Sequence, residues 1–167
     1  EKIIDLQNCI KKWLFRECSN FVNKLDSDKL KTHSELIKRF LLRPVSLPRL
    51  KIFTINYDLV LEKTLDHLGV SYFDGFIGTV ERTMRPESYH YDLYFPGETT
   101  EGRVSRVDRV VQLYKLHGSV NWKRKESGNL YEVVQGPFLE DKDYEDLLIY
   151  PSPIKYDEMH GYPYSEM

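Results

Sequence analysis

The sequence predicts a mixed α/β fold, a partial Rossmann-like parallel sheet with a helical amino-terminal portion and an inserted hairpin. Three observations carry that expectation. Residues 1–48 hold two stretches whose apolar residues recur at three- and four-residue spacing, the helical period. KIFTINYDLVLE at 51–62 and VVQLYKLHGS at 110–119 are apolar runs that break into polar residues, as buried parallel strands do where they reach a loop. VNWKRKESGNLYEVV at 120–134 reads as two strand-like stretches about a Ser-Gly turn.

In chain order, Ile3, Leu6, Ile10, Leu14, Cys18, Phe21 and Leu25 form one apolar stripe and predict an amphipathic helix from Ile3 to Leu25. Thr32 and Glu35 have capping-box spacing, so a second helix is expected to begin at Thr32 and to carry Leu36, Ile37, Phe40 and Leu41 before Pro44. Pro44 and Pro48 bracket a turn. Lys51–Ile55 is a strand, and Leu61, Leu65 and Leu68 give the helix after it an inward face that stops at Gly69. From Ser71 to Asp108 the periodicity dissolves among aromatics, Pro86, Pro96 and glycines, which predicts a long surface excursion. Val110–Leu116 is the second strand. Asn121–Lys125 and Asn129–Val134 form the hairpin, turning at Ser127 and Gly128, and Leu147–Tyr150 is one more strand before Pro151 and Pro153.

The 167 residues, 41% hydrophobic and 13% aromatic, suffice for the core of one domain, with 1–48 as its helical portion and 49–167 as the α/β portion. That composition excludes a disordered chain. A formal charge of -2 excludes an overall basic surface for nucleic acid, and the tip at Lys123, Arg124 and Lys125 reads as a solvated hairpin end. With no secretory leader and no apolar run of about 18 residues, the expectation is a soluble protein of the cytoplasm that does not enter a membrane. Cys9 and Cys18 lie on opposite faces of the first helix, roughly 13 Å apart along its axis, and cannot pair. Two cysteines and five scattered histidines lack the spacing of a structural zinc site, so no metal is expected. The chain starts at Glu1 and is expected to be a piece of a longer protein.

In an open α/β sheet, ligands bind outside the carboxyl ends of the strands. Asn56 and Asp58 follow the first strand and His117 the second, so neighbouring strands would bring an amide, a carboxylate and an imidazole into one crevice, a set suited to acid/base work. Each has a plainer reading. Asn56 would cap the following helix, Asp58 would sit in its first turn, and His117 before Gly118 would be a turn residue. Other features are weaker: the aromatic loop Tyr89–Phe95 suits ordinary packing as well as a ligand cover, Lys155 follows the prolines, and His160 follows no strand.

FTINYD at Phe53–Asp58 resembles the sirtuin TQNID motif, and KLHGSVNW at Lys115–Trp122 is similar to the sirtuin HG segment in the KLHGS-x-x-W form of bacterial sirtuin-like defence proteins. The resemblance spans about Leu50 to Lys155 and includes Pro151-Ser152-Pro153. It implies NAD as the substrate. Asn56 would position the nicotinamide ribose or a water, Asp58 would hold the carboxamide, and His117 would be the general base. Gly118 and Ser119 would let the backbone approach NAD, while Thr54 and Tyr57 would shape the pocket. Ile55 stands where the motif has glutamine. Sirtuin deacylases follow the HG segment with a zinc ribbon, which the cysteine count here cannot supply. The glycine-rich turn that the resemblance implies for the pyrophosphate is not found upstream of Asn56, which leaves open whether it precedes Glu1.

The resemblance therefore implies an NAD hydrolase of bacterial antiviral defence, releasing nicotinamide and ADP-ribose, homo-oligomeric and paired with a HerA-type hexameric ATPase. Two alternatives stand beside it: an NAD-dependent protein deacylase, and a non-catalytic module that senses NAD or ADP-ribose or docks the ATPase.

Overall fold

The computed structural model describes residues 2–96, 104–125, 130–132, 144–149 and 163–166. Helices α1 (Lys2–Asn23) and α2 (Lys31–Phe40) lead into β1 (Leu50–Thr54) and α3 (Val60–His67). Short strands β2 (Ser71–Phe73), β3 (Phe76–Ile77) and β4 (Arg82–Met84) and a 3-10 turn at Pro86–His90 follow. The strands β5 (Val110–Lys115), β6 (Gly118–Lys125), β7 (Leu130–Glu132) and β8 (Tyr144–Leu148) complete the order. These strands form a parallel sheet, β1-β5-β2, and an antiparallel sheet, β3-β4-β7-β6-β8. The fold is mixed α/β and partly Rossmann-like.

Strand β5 is central to the parallel sheet, and all six of its residues are buried, which explains its nearly unbroken apolar run. Val111 and Leu113 face Ile37 of α2 and Leu65 of α3, with Leu50, Ile52 and Leu61 filling in around them. The opposite face is covered by Tyr89, whose ring stacks on Tyr114 at 4.1 Å, with Phe53 stacked on the same tyrosine at 4.6 Å. Helix α3 ends as expected at Gly69. Its φ of 63° permits the left-handed cap, and Val70 N–H to Leu65 O (2.9 Å) with Gly69 N–H to Asp66 O (3.0 Å) satisfies the last carbonyls.

Several expectations need correction. In α1 the proposed stripe is rotated: Leu6, Ile10 and Phe21 are exposed, whereas Phe15 and Ser19 are buried. Only part of that stripe meets the domain. Helix α2 starts at Lys31 with no side-chain cap, so Thr32 is inside the helix and no capping box forms. The stretch read as an excursion contributes β2 to the parallel sheet and β3 and β4 to the antiparallel one. Three residues are too few to show a period. Strand β6 begins at Gly118 and not at Asn121, and Lys123, read as solvated, is buried with its ammonium 4.6 Å over the Phe15 ring. Strand β8 runs Tyr144–Leu148, earlier than expected. Ser127, Gly128, the Pro151–Pro153 run, Lys155 and His160 lie outside the described residues.

Candidate functional site

The parallel ladder between β1 and β5 ends on the pair Thr54 and Lys115. One further bond, Leu116 N–H to Thr54 O at 2.9 Å, carries the pairing onward. Asn56 and His117 each come two residues beyond the last pair, so both follow the carboxyl ends of neighbouring parallel strands. The two sequence-predicted strand ends are therefore neighbours, as the crevice argument requires.

The structure separates the two readings of the β1 end. The N-cap of α3 is Leu59, which has no side-chain cap, and Asp58 just before it satisfies the first helical donor: its Oδ1 accepts the Val60 N–H at 3.0 Å. Asn56 caps nothing. Its backbone N–H donates to Thr54 Oγ1 at 3.1 Å, its side chain is exposed, and its amide makes no hydrogen bond with a described residue. An unengaged amide at a strand end offers one donor and one acceptor group to a ligand.

On the other side, His117 is buried at 9% exposure, its ring centroid 6.5 Å from that of Tyr57. Its carbonyl accepts the Ile149 N–H at 2.9 Å. Tyr57 closes the same junction, donating its hydroxyl to Ile149 O at 2.6 Å while its own carbonyl accepts Val120 N–H (3.0 Å) and Ser119 Oγ (3.3 Å). Ser119 thus serves the backbone of the β1 loop. Gly118, at φ 82°, makes the sharp entry from the His117 turn into β6. Tyr57, His117, Gly118 and Ser119 form one interlocked unit, and Thr54 anchors Asn56.

Beneath them lies an ion pair, Lys115 with Glu62, to which the two motifs gave no role. Lys115 continues the inward-facing series Val111, Leu113, Lys115 and is 3% exposed; its ammonium lies 3.0 Å from Glu62 Oε1 and donates to the carbonyl of Asp58. Burial holds the Glu62 carboxyl above its ordinary value even with the Lys115 ammonium beside it. Oε2 of Glu62 has no hydrogen-bond partner among the described residues. The sequence carried a signal for this pair, a lysine inside an apolar strand on the inward face. Cys18 of α1 packs against the cluster of Phe15, Leu59, Val120 and Leu148, and burial, with the Asp58 carboxylate next, pushes its thiol upward. Helix α1 therefore backs the site.

Among the described residues no group of three or more His, Cys, Asp or Glu side chains is placed to hold a metal ion, and no helix is long and apolar enough to cross a membrane.

A parallel α/β sheet with an exposed amide and a buried imidazole at adjacent strand ends defines a domain of the Rossmann-like ligand-binding class. The family model described as SIR2-like domain matches residues 50–157, starting on the first residue of β1 and including both strand ends, and the chain belongs to that family. Its function is accordingly NAD-related. No curated protein matches the chain.

Proposed function

We propose that the domain hydrolyses NAD at the nicotinamide N-glycosidic bond, giving nicotinamide and ADP-ribose. The observation that carries this reading is an exposed Asn56 amide with no hydrogen bond to a described residue and a buried His117, each two residues beyond the carboxyl end of adjacent parallel strands. Cleavage of this bond passes through an oxocarbenium-like state, for which a site must place water and remove its proton. The bond between ribose C1′ and the pyridinium nitrogen breaks, and its electron pair leaves with nicotinamide. Water oxygen adds to C1′, and its proton passes to His117. Asn56 orients the water or the ribose hydroxyls, and the Tyr57–Ile149 and Lys115–Asp58 hydrogen bonds hold the loop that carries it.

Hydrolysis is favoured over acyl-lysine deacylation because the 167 residues hold only two cysteines, both on α1, and the chain after His117 runs directly into the antiparallel strand β6. On the motif resemblance we extend the proposal to NAD depletion in bacterial antiviral defence in the cytoplasm, by a homo-oligomer working with a HerA-type hexameric ATPase. The test is nicotinamide release from NAD by the purified full-length protein, with and without an acyl-lysine peptide. Release without peptide is expected. Release only with peptide would make it a deacylase, and NAD binding without release would make it a sensor.

A further inference from the structure

The amino ends of β1 and β5 border a half-open cavity of about 270 Å³, at the opposite end of these strands from Asn56 and His117. Arg43, Arg49 and Arg109 line it together with a single carboxylate residue, Asp108. Arg49 is committed: Asp92 accepts from its Nε at 2.8 Å and from its Nη2 at 2.5 Å, and the second oxygen of Asp92 accepts Arg106 Nε at 2.7 Å. Arg43 and Arg109 are different. Both are exposed, and the side chain of neither has a hydrogen bond or ion pair with a described residue. Phe40, Leu42 and Leu47 supply exposed apolar surface beside them.

A second observation falls on the same spot. Arg109 has φ 54°, and it is the one non-glycine among the described residues in the left-handed region. An arginine gains nothing there from local geometry, and backbone held in a sparsely populated conformation gathers at ligand sites. Glycine or asparagine would satisfy the turn into β5 without strain.

We propose that this cavity binds a small phosphate monoester, held by the Arg43 and Arg109 guanidinium groups with its organic body against Phe40, Leu42 and Leu47. Two free guanidiniums match a phosphate dianion in charge and in fork geometry. The volume lies just under the usual range for small-molecule pockets, about 300 to 1,000 Å³, and suits a mononucleotide or sugar phosphate better than a dinucleotide. The site is separate from the NAD crevice and does not depend on the reaction proposed there.

The test uses the full chain, adenosine monophosphate, inorganic phosphate and adenosine as probes, and calorimetric binding and melting temperature as readouts at matched ionic strength. Adenosine monophosphate should bind more tightly than either inorganic phosphate or adenosine. At about a hundredfold excess over Kd it should raise Tm by roughly 5 to 10 °C. Arg109→Gly should melt at or above the wild-type temperature, because it removes the strained φ, and yet lose at least tenfold in affinity. Arg43→Ala should lose a similar factor. Loss of binding in a protein that is no less stable cannot be a folding defect. The absence of measurable binding to the wild type would overturn the proposal. So would affinity unchanged in both variants, or adenosine binding as tightly as its monophosphate.

Discussion

The same two strands end in two different ion networks. At the carboxyl ends of β1 and β5, Lys115 and Glu62 are buried together, and burial pushes the Glu62 carboxyl upward. At the amino ends, Asp92 sits between Arg49 and Arg106 and its carboxyl is pushed down: partial burial works upward, but hydrogen bonds from Arg49, the Leu93 N–H and Arg106 outweigh it. The carboxyl-end pair loses most of its Coulombic gain to desolvation, and its structural return is the grip of Lys115 on the Asp58 carbonyl. The amino-end network stays near water, keeps its charge cheaply, and gathers arginines around an open cavity. One end is built to hold backbone in place, the other to hold charge in readiness.

The largest effect should come from the chemistry lodged at the rigid end. His117→Ala is expected to reduce nicotinamide release by about 10²- to 10⁴-fold, the usual weight of a general base. Arg109→Gly, at the far end, should leave turnover unchanged. A His117→Ala protein within a few fold of wild type would remove the functional distinction between the ends.

Next in size is the pair itself. Lys115→Met strands Glu62 without its cation and should destabilise the protein by about 3 to 5 kcal/mol, measured by urea unfolding. The double variant Lys115→Met, Glu62→Leu should recover most of that loss. It should nonetheless cleave NAD poorly, because the Asp58 carbonyl has lost its donor. Full activity in the double variant would show that the pair does not position the loop.

Asn56→Asp comes third. Since Asn56 caps nothing, the change should leave Tm close to wild type, whereas it replaces the amide donor with a carboxylate and should cost about 10²-fold in turnover. Equal activity would return Asn56 to an ordinary loop residue. The companion variant Asp58→Ala should instead lose about 1 kcal/mol of stability, the worth of its hydrogen bond to the first N–H of α3.

The smallest effect is the pH response of the amino end. The Asp92 carboxyl is depressed in the folded state, so its contribution is fully present above the unfolded carboxyl value and is lost as pH falls through the lower folded one. Asp92→Asn should therefore flatten the acid limb of a Tm profile. Glu62 works in the opposite sense. Between its ordinary and raised values the folded protein keeps a proton that the unfolded chain has released, so stability falls as pH rises across that window. An acid limb unchanged in Asp92→Asn would erase this part of the contrast.

How much of this the sequence disclosed depends on the length of each signal. The two strand ends were legible because mostly apolar stretches of five or more residues break abruptly at Ile55–Asn56 and Leu116–His117, and parallel pairing follows from the fold class. Which of Asn56 and Asp58 caps α3 was not legible. Both are good capping residues two positions apart, yet the N-cap is Leu59, and only the path of the loop brings Asp58 to the first helical N–H. Strand β2 was hidden by its three residues. In α1 the apolar residues spread around more than one face, so spacing alone did not choose between the arc with Leu6 and Ile10 and the arc with Phe15. Lys123 was misread because a hairpin tip is usually wet, while here α1 lies across it.

The pairing of Leu50 with Val111 joins segments far apart in the chain, and no part of the Asn56–His117 crevice exists until it forms. Closing so long a loop loses chain entropy before any contact compensates, which makes long-range parallel pairing a slow event in refolding. Helices α1 and α2 can condense early from local contacts. The NAD cleavage proposed for that crevice should then return only with the slowest kinetic phase, after β5 has docked.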